Sequence, residues 1–194
     1  MGIYAHPEDS KRVWAALGGR LMQSTDGGET WSPFEDAPAW STWIAGDPTK
    51  AGRFYVSAAD GVYAIDNGAA PVCIGGAAPA GGGRINVDAK GRVLACQWRS
   101  GRVGLWRYDP TTSAWTRLLD EYYAYECVSD PADAERLILV TADDPFHDHA
   151  TGTGVWVSHD GGKGWSPANT DLPMIRARAA AFDPFDRSRV VIGT

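Results

Sequence analysis

One short motif occurs twice in this chain. Residues 24–31 read Ser-Thr-Asp-Gly-Gly-Glu-Thr-Trp, and residues 158–165 read Ser-His-Asp-Gly-Gly-Lys-Gly-Trp. Each copy follows an apolar run and has the composition of a tight hairpin between two strands. The Asp carboxylate can accept hydrogen bonds from the backbone of the loop, and glycine tolerates the positive φ that a side chain disfavours. Two copies of one hairpin predict a repeat protein.

A second element, usually Asp-Pro, marks the length of the repeat. It begins at His6, Asp47, Asp88, Asp130 and Asp183, so that successive turns are 41, 41, 42 and 53 residues apart. A period near 40 residues with four short strands in each unit is typical of β-propeller blades. We place strand A before the turn and strands B, C and D after it. The sequence therefore predicts an all-β propeller of four-stranded antiparallel blades.

About four and a half blades are expected in this chain. The predicted blades are approximately 1–36, 40–75, 82–119 and 121–168, with a partial blade at 174–194. The partial blade has strands A and B alone, which leaves 190–192 as an unpaired apolar edge of the kind that soluble proteins avoid. Three explanations are open: the chain is a fragment of a longer propeller, it pairs with a second copy, or it forms an unusual small ring.

Composition is consistent with this fold and excludes some partners. Nine Trp, 23 Gly and 12 Pro among 194 residues favour many short strands joined by turns. A net charge of −6 without a dense run of Lys or Arg argues against nucleic acid. No apolar run has the length of a membrane span. Cys73, Cys96 and Cys127 lack disulfide or zinc spacing and are interpreted as buried thiols, and we expect no cofactor and no metal.

The repeated hairpin resembles the Asp-box (BNR repeat) of the sialidase, sortilin and xyloglucanase-type β-propellers. The matching positions are Ser24, Asp26, Gly28, Thr30 and Trp31 in the first copy and Ser158, Asp160, Gly162 and Trp165 in the second. Gly164 departs from the usual Thr. The resemblance implies an intact propeller of six to eight blades and a secreted or periplasmic location, although no signal peptide is visible in this chain. We assign the matching residues a structural role, because calcium needs more oxygen ligands than one Asp supplies.

A ligand site is predicted on one face of the propeller. The D-to-A and B-to-C loops share a face, which we call the mouth face, and the A-to-B turns and C-to-D hairpins share the opposite, hairpin face. Alternate residues of a strand point the same way, so counting back from each turn predicts the side chains at the mouth. They are Trp40, Thr42, Tyr123, Tyr125, Arg176 and Arg178. Aromatic rings stack on sugars and Arg forks bind carboxylates; alternatively, the aromatic rings pack between blades and the arginines are solvated.

An insertion between strands B and C of blade four supplies further candidates on the same face. It contains Asp143, Asp144, His147, Asp148 and His149. Side chains of these types can bind a metal or transfer protons. Their spacing fits no specific metal motif, so a solvated loop is the alternative. We include His147 among the predicted ligand-binding residues.

Two functions are compatible with these residues. The first is a carbohydrate-handling propeller, part of a glycoside hydrolase-like or lyase-like protein that acts on or binds a polysaccharide. A glycosidase needs two carboxyl groups, and those available are Glu121, Glu126, Asp144 and Asp148, which the sequence alone does not pair. The catalytic candidates are Glu121, Tyr123 and Asp148, and catalytic residues could also lie outside this chain. The sialidase Arg-Ile-Pro motif is absent, and residues 84–86 are only a near match. The second function is a non-catalytic propeller for protein interaction or assembly, as in the sortilin-like and photosystem-assembly propellers. The expected partners are a glycan, further blades or a second copy.

Overall fold

The computed structural model describes residues 2–75, 83–97, 103–143 and 151–194. Within these ranges the chain forms strands and no helix, and therefore no helix that could cross a membrane. The strands make four sheets of four strands and one sheet of two, all antiparallel between neighbours. The prediction of an all-β, partial propeller is confirmed.

The first two sheets follow the chain in order from strand A to strand D. Sheet one contains β1 (Gly2–His6), β2 (Asp9–Leu17), β3 (Arg20–Ser24) and β4 (Ser32–Pro33). Sheet two contains β5 (Trp43–Gly46), β6 (Arg53–Ala58), β7 (Gly61–Asp66) and β8 (Val72–Cys73). In each sheet the first strand is innermost and the last is a short, exposed edge.

Sheets three and four repeat the strand order, and sheet five contains two strands. Sheet three contains β9 (Ile85–Val87), β10 (Val93–Gln97), β11 (Gly104–Asp109) and β12 (Ala114–Leu119). Sheet four contains β13 (Ala124–Asp130), β14 (Asp133–Thr141), β15 (Val155–Ser158) and β16 (Ser166–Pro167). Sheet five contains β17 (Ala179–Phe182) and β18 (Val190–Gly193).

Hydrophobic cores lie between consecutive sheets. The B strands have the most continuous burial, because their two faces pack against different neighbours; all five residues of β10 are buried. Sheets one and two enclose Trp14 and Phe54, whose rings are 4.8 Å apart. Sheets three and four enclose Leu94 and Leu137. The innermost strands β1, β5, β9, β13 and β17 contact one another in that order, as the A strands of a propeller do.

The two repeated hairpins lie on the hairpin face. The backbone nitrogen of Gly27 donates to the carbonyl oxygen of Lys11 at 2.9 Å, and that of Gly161 donates to Glu135 at 2.8 Å. Lys11 and Glu135 both follow an A-to-B turn. The hairpins are therefore on the opposite side from the D-to-A loops that carry the predicted mouth residues.

The same hydrogen bonds hold both hairpins. In the first, the Ser24 hydroxyl donates to Asp26 Oδ1 at 2.7 Å and accepts from the backbone of Gly28 at 2.8 Å. In the second, Ser158 donates to Asp160 at 2.8 Å and accepts from Gly162 at 2.8 Å. The carboxylates also accept from backbone nitrogens four residues later, at 2.9 Å in both copies. These donors lower the pKa of both aspartates, with the Thr30 hydroxyl as the largest cause for Asp26 and the Gly164 backbone for Asp160.

The hairpins differ in two side-chain contacts. The Thr30 hydroxyl donates to Asp26 Oδ2 at 2.5 Å, whereas Gly164 has no hydroxyl for the corresponding bond. Both tryptophans donate from Nε1 to a carbonyl oxygen of their own turn. Trp165 also packs against the core between sheets three and four, but Trp31 is 39% exposed. The second tryptophan therefore contributes more apolar burial than the first.

Candidate binding site on the mouth face

Arg84 occupies the centre of the mouth face. It directly precedes β9, at the end of the strand that faces the D-to-A loops. Its guanidinium carbon lies 4.3 Å from the ring centre of Trp43 and 4.4 Å from that of Tyr125. These rings belong to the sheets on either side of sheet three. Such cation–π contacts fix the plane of the guanidinium group.

An ion pair links Arg84 to sheets four and five. Nη1 of Arg84 donates to Glu126 Oε2 at 3.0 Å and to the carbonyl oxygen of Arg178 at 2.8 Å. Glu126 Oε2 also accepts from the backbone nitrogen of Ala180 at 3.3 Å. The side chains of Arg84 and Glu126 are 22% and 10% exposed, so the pair is largely removed from bulk water but reachable from it.

A bulge in β13 brings two neighbouring side chains to Arg84. Adjacent residues of a regular strand point to opposite faces. The pairing of β13 with β14 shifts by one residue between Ala124 and Glu126, and a bulge of this kind redirects side chains. Tyr125 and Glu126 consequently both contact Arg84.

The structure joins two of the predicted mouth residues through Arg84. The Tyr125 ring lies under its guanidinium group, and the Arg178 carbonyl accepts from it. The Arg178 side chain is exposed. Thr42 instead donates its hydroxyl to the carbonyl oxygen of Ser57 at 3.2 Å.

The candidate catalytic residues of the described chain lie in the turn before β13. The Glu121 carbonyl oxygen accepts from Ala124, and its side chain is half-buried. The Tyr123 ring makes an edge contact with Tyr122, with ring centres 4.7 Å apart. The third candidate, Asp148, lies outside the described residues, as do Asp144, His147 and His149.

Arg176 is engaged in a separate ion pair. Its Nη1 lies 3.1 Å from Asp143 Oδ2. The other oxygen of Asp143 accepts from the backbone nitrogens of Thr151 and Gly152, at 3.0 and 2.9 Å. The Gly152 hydrogen bond is the largest cause of a lowered Asp143 pKa, and Arg176 adds to it. Arg176 thus holds the base of the B-to-C loop of sheet four.

Trp40 is both exposed and fixed in place. Its residue surface is 68% exposed, and it is held at a positive φ of 56°, which is uncommon for a residue with a side chain. One edge of its ring lies against Gly19, where an added Cβ would be 2.9 Å from Cε3 of the indole. The next residue, Ser41, pairs with Gly19 and donates its buried hydroxyl to Pro38 at 2.8 Å. Trp40 therefore presents most of its indole surface to solvent, with one ring edge beside Gly19.

The three residues that meet at the centre of the site share one position in their blades. Trp43, Arg84 and Glu126 each stand four residues before the turn aspartate of their blade. The ligand-binding positions predicted from the sequence lie five and seven residues before the turn and do not include these three, although Glu126 is among the carboxyl groups considered for catalysis. Within the described part of the chain, no group of three or more His, Cys, Asp or Glu is placed to hold a metal.

Sheets arranged in this way around a central mouth define the protein as a β-propeller. Its fold resembles that of GH74 glycoside hydrolases. It matches a GH74 enzyme from Niastella koreensis with a TM-score of 0.78 and 19% identity, covering 98% of this chain and 35% of that one. A GH74 xyloglucanase from Xanthomonas campestris matches with a TM-score of 0.73 and 17% identity, over 98% of this chain and 34% of that one.

Propellers of other kinds have a similar fold. The structure of YCF48 bound to D1 peptide matches with a TM-score of 0.62 and 13% identity, over 94% of this chain and 57% of that one. No protein-family model matches the sequence, and neither does any curated protein. The chain spans about a third of the length of the GH74 structures. At these low sequence identities, the similarity shows a shared fold and nothing about activity.

Proposed function

We propose that this chain forms the glycan-binding part of a propeller that handles a polysaccharide on its mouth face. The observation that carries the proposal is Trp40, which is exposed although its backbone and one ring edge are fixed. An exposed aromatic side chain that is already ordered loses little entropy when a ligand stacks on it. Trp40 lies in a D-to-A loop and therefore on the same face as the contact between Arg84 and Tyr125.

A role in glycan cleavage is a further part of this proposal. Glycosidases need two carboxyl groups that flank the scissile bond. Glu126 is bound to Arg84 and Ala180 and is suited to positioning. Glu121 is a half-buried carboxylate near the mouth and is the candidate for one of the two groups. The candidate for the other is Asp148, which lies outside the described residues. The fold of the GH74 enzymes supports this class of reaction. We also propose that the two repeated hairpins are Asp-boxes, on the basis of their matching hydrogen bonds.

A protein-binding propeller is the second candidate function. Two large apolar side chains of the mouth face, Tyr122 and Ile175, are 55% and 50% exposed. Exposed apolar groups of this kind favour contact with a protein surface. The fold similarity to YCF48, a propeller solved with a bound peptide, supports this alternative.

The test is a binding screen against soluble polysaccharides with a matched pair of variants. Trp40→Ala removes the exposed indole of the mouth face, and Trp31→Ala removes a partly exposed indole of the hairpin face. We expect the first change to weaken glycan binding about tenfold or more and the second to leave it unchanged. Reducing-sugar or unsaturated product would indicate cleavage. Equal affinities of both variants and the unchanged protein, or no glycan binding, would contradict the proposal.

A further inference from the structure

We propose that Arg84 is a carboxylate-binding subsite, so that the mouth prefers acidic glycans with uronate residues over neutral glycans. This inference rests on the proposed glycan-binding function and names the class of glycan. It concerns a residue in the centre of the mouth, between the sheets, and not the two arginines predicted from the sequence.

The hydrogen bonds of Arg84 leave one side of its guanidinium group for a ligand. Nη1 makes the contacts with Glu126 and Arg178. Among the described residues, Nε and Nη2 donate to no protein atom. These two nitrogens form one edge of the planar group, which matches the two oxygens of a carboxylate.

The surrounding rings restrict how a ligand can approach. Trp43 and Tyr125 lie against the guanidinium group at 4.3 and 4.4 Å. Their stacking leaves the edge of the group as the direction for a new hydrogen bond. Because the group is already oriented, little side-chain entropy is lost on binding.

Arg84 and Glu126 form a balanced ion pair, so binding of an acid depends on the hydrogen bonds that the remaining edge of Arg84 can donate. The exposed Arg178 follows in sheet five, and its carbonyl oxygen contacts Arg84. The chain as a whole has a net charge of −6. Arg176 is paired with Asp143 through Nη1 in the same way, but its side chain is 58% exposed against 22% for Arg84, so its guanidinium group is less enclosed by the protein.

The experiment compares trigalacturonate with its carboxyl-reduced, neutral trisaccharide. We expect the unchanged protein to bind the acid about tenfold or more tightly, because charge-assisted hydrogen bonds are stronger than neutral ones. Arg84→Lys, which keeps the charge but removes the fork, should abolish most of this preference. Glu126→Gln should increase affinity for the acid, because it removes a repulsive charge while its amide oxygen can still accept from Arg84.

A control removes one positive charge on the opposite face. Lys163 is exposed on the second hairpin, and Lys163→Gln should leave the preference unchanged. Circular dichroism identifies any variant that fails to fold. If Arg84→Lys does not fold, the inference is tested by the Glu126→Gln variant and by the salt dependence of the unchanged protein. Added salt should weaken binding of the acidic trisaccharide and leave binding of the neutral one unchanged.

The outcomes separate this inference from the proposed function. Equal affinity for the acidic and neutral sugars, with both lost in Trp40→Ala, would overturn the Arg84 subsite and leave glycan binding intact. If no oligosaccharide binds, glycan binding fails, and a titration with glucuronate decides about the subsite. Glucuronate binding that Arg84→Lys abolishes would support it, and no glucuronate binding would overturn it.

Discussion

Arg136 donates a hydrogen bond from Nη1 to the carbonyl oxygen of Arg187 at 2.6 Å, which ties sheet four to the turn of sheet five. The contact recurs elsewhere on the hairpin face. Arg92, at the start of strand B in sheet three, donates to the carbonyl oxygen of Ala134 in sheet four at 2.9 Å. Arg12 of sheet one likewise donates to the backbone of Asn67 in sheet two. An arginine near the start of strand B therefore connects consecutive blades in three cases.

Arg136→Ala should loosen sheet five without unfolding the other sheets. Besides Arg187, Arg136 contacts Asp130 and stacks over Phe182, so the change removes polar and apolar contacts together. We expect faster hydrogen exchange in the amides of β17 and β18, measured by mass spectrometry. Arg53→Ala is the matched control, because Arg53 pairs with Asp66 of its own sheet at 2.7 Å. Equal effects of both variants on β18 would contradict the proposed link.

Gly164→Thr should stabilise the protein, and Thr30→Gly should destabilise it. The new hydroxyl would restore in the second hairpin the bond that Thr30 makes with Asp26. A Cβ at Gly164 would lie 3.1 Å from Asp160 Oδ2, which belongs to a flexible side chain that can adjust. Replacing glycine also lowers the entropy of the unfolded chain. We expect changes of about 2 to 4 °C in opposite directions in thermal melts; a fall in both variants would contradict the equivalence of the two positions.

The hairpins show what could be predicted from local sequence. Ser24 and Asp26 make the backbone contacts expected of them, because all partners lie within a few residues. The site depended on contacts between sheets. Periodicity identified Tyr125 but not its neighbour Glu126, because a bulge in β13 brings both to Arg84. The alternation of residues along β13 does not report this bulge, because the bulge is set by how β13 pairs with β14.

Acidification should weaken the contribution of Asp66 to stability. Hydrogen bonds from Arg53, and secondarily from Lys50, lower the pKa of Asp66 to about 2. This folded-state pKa is below the usual Asp value of about 3.9. The stabilisation from the ionised Asp66 is therefore complete when the pH is above about 3.9. It is lost as the pH falls toward 2. In urea unfolding between about pH 5 and pH 2, the difference in stability between the unchanged protein and Asp66→Asn should narrow. A constant difference would show that the ion pair contributes nothing that depends on pH.

The three cysteines should differ sharply in reactivity. Cys73 is exposed on the edge strand β8, whereas Cys96 and Cys127 are buried between sheets three and four, which corrects the expectation that all three are buried. Desolvation raises the pKa of both buried thiols, and the thiol is far less nucleophilic than the thiolate. With a disulfide reagent at neutral pH, one thiol should react rapidly in the folded protein and all three in guanidinium chloride. Cys73→Ser should remove the rapid phase; a rapid phase that persists in this variant would mean that the interface between sheets three and four opens readily.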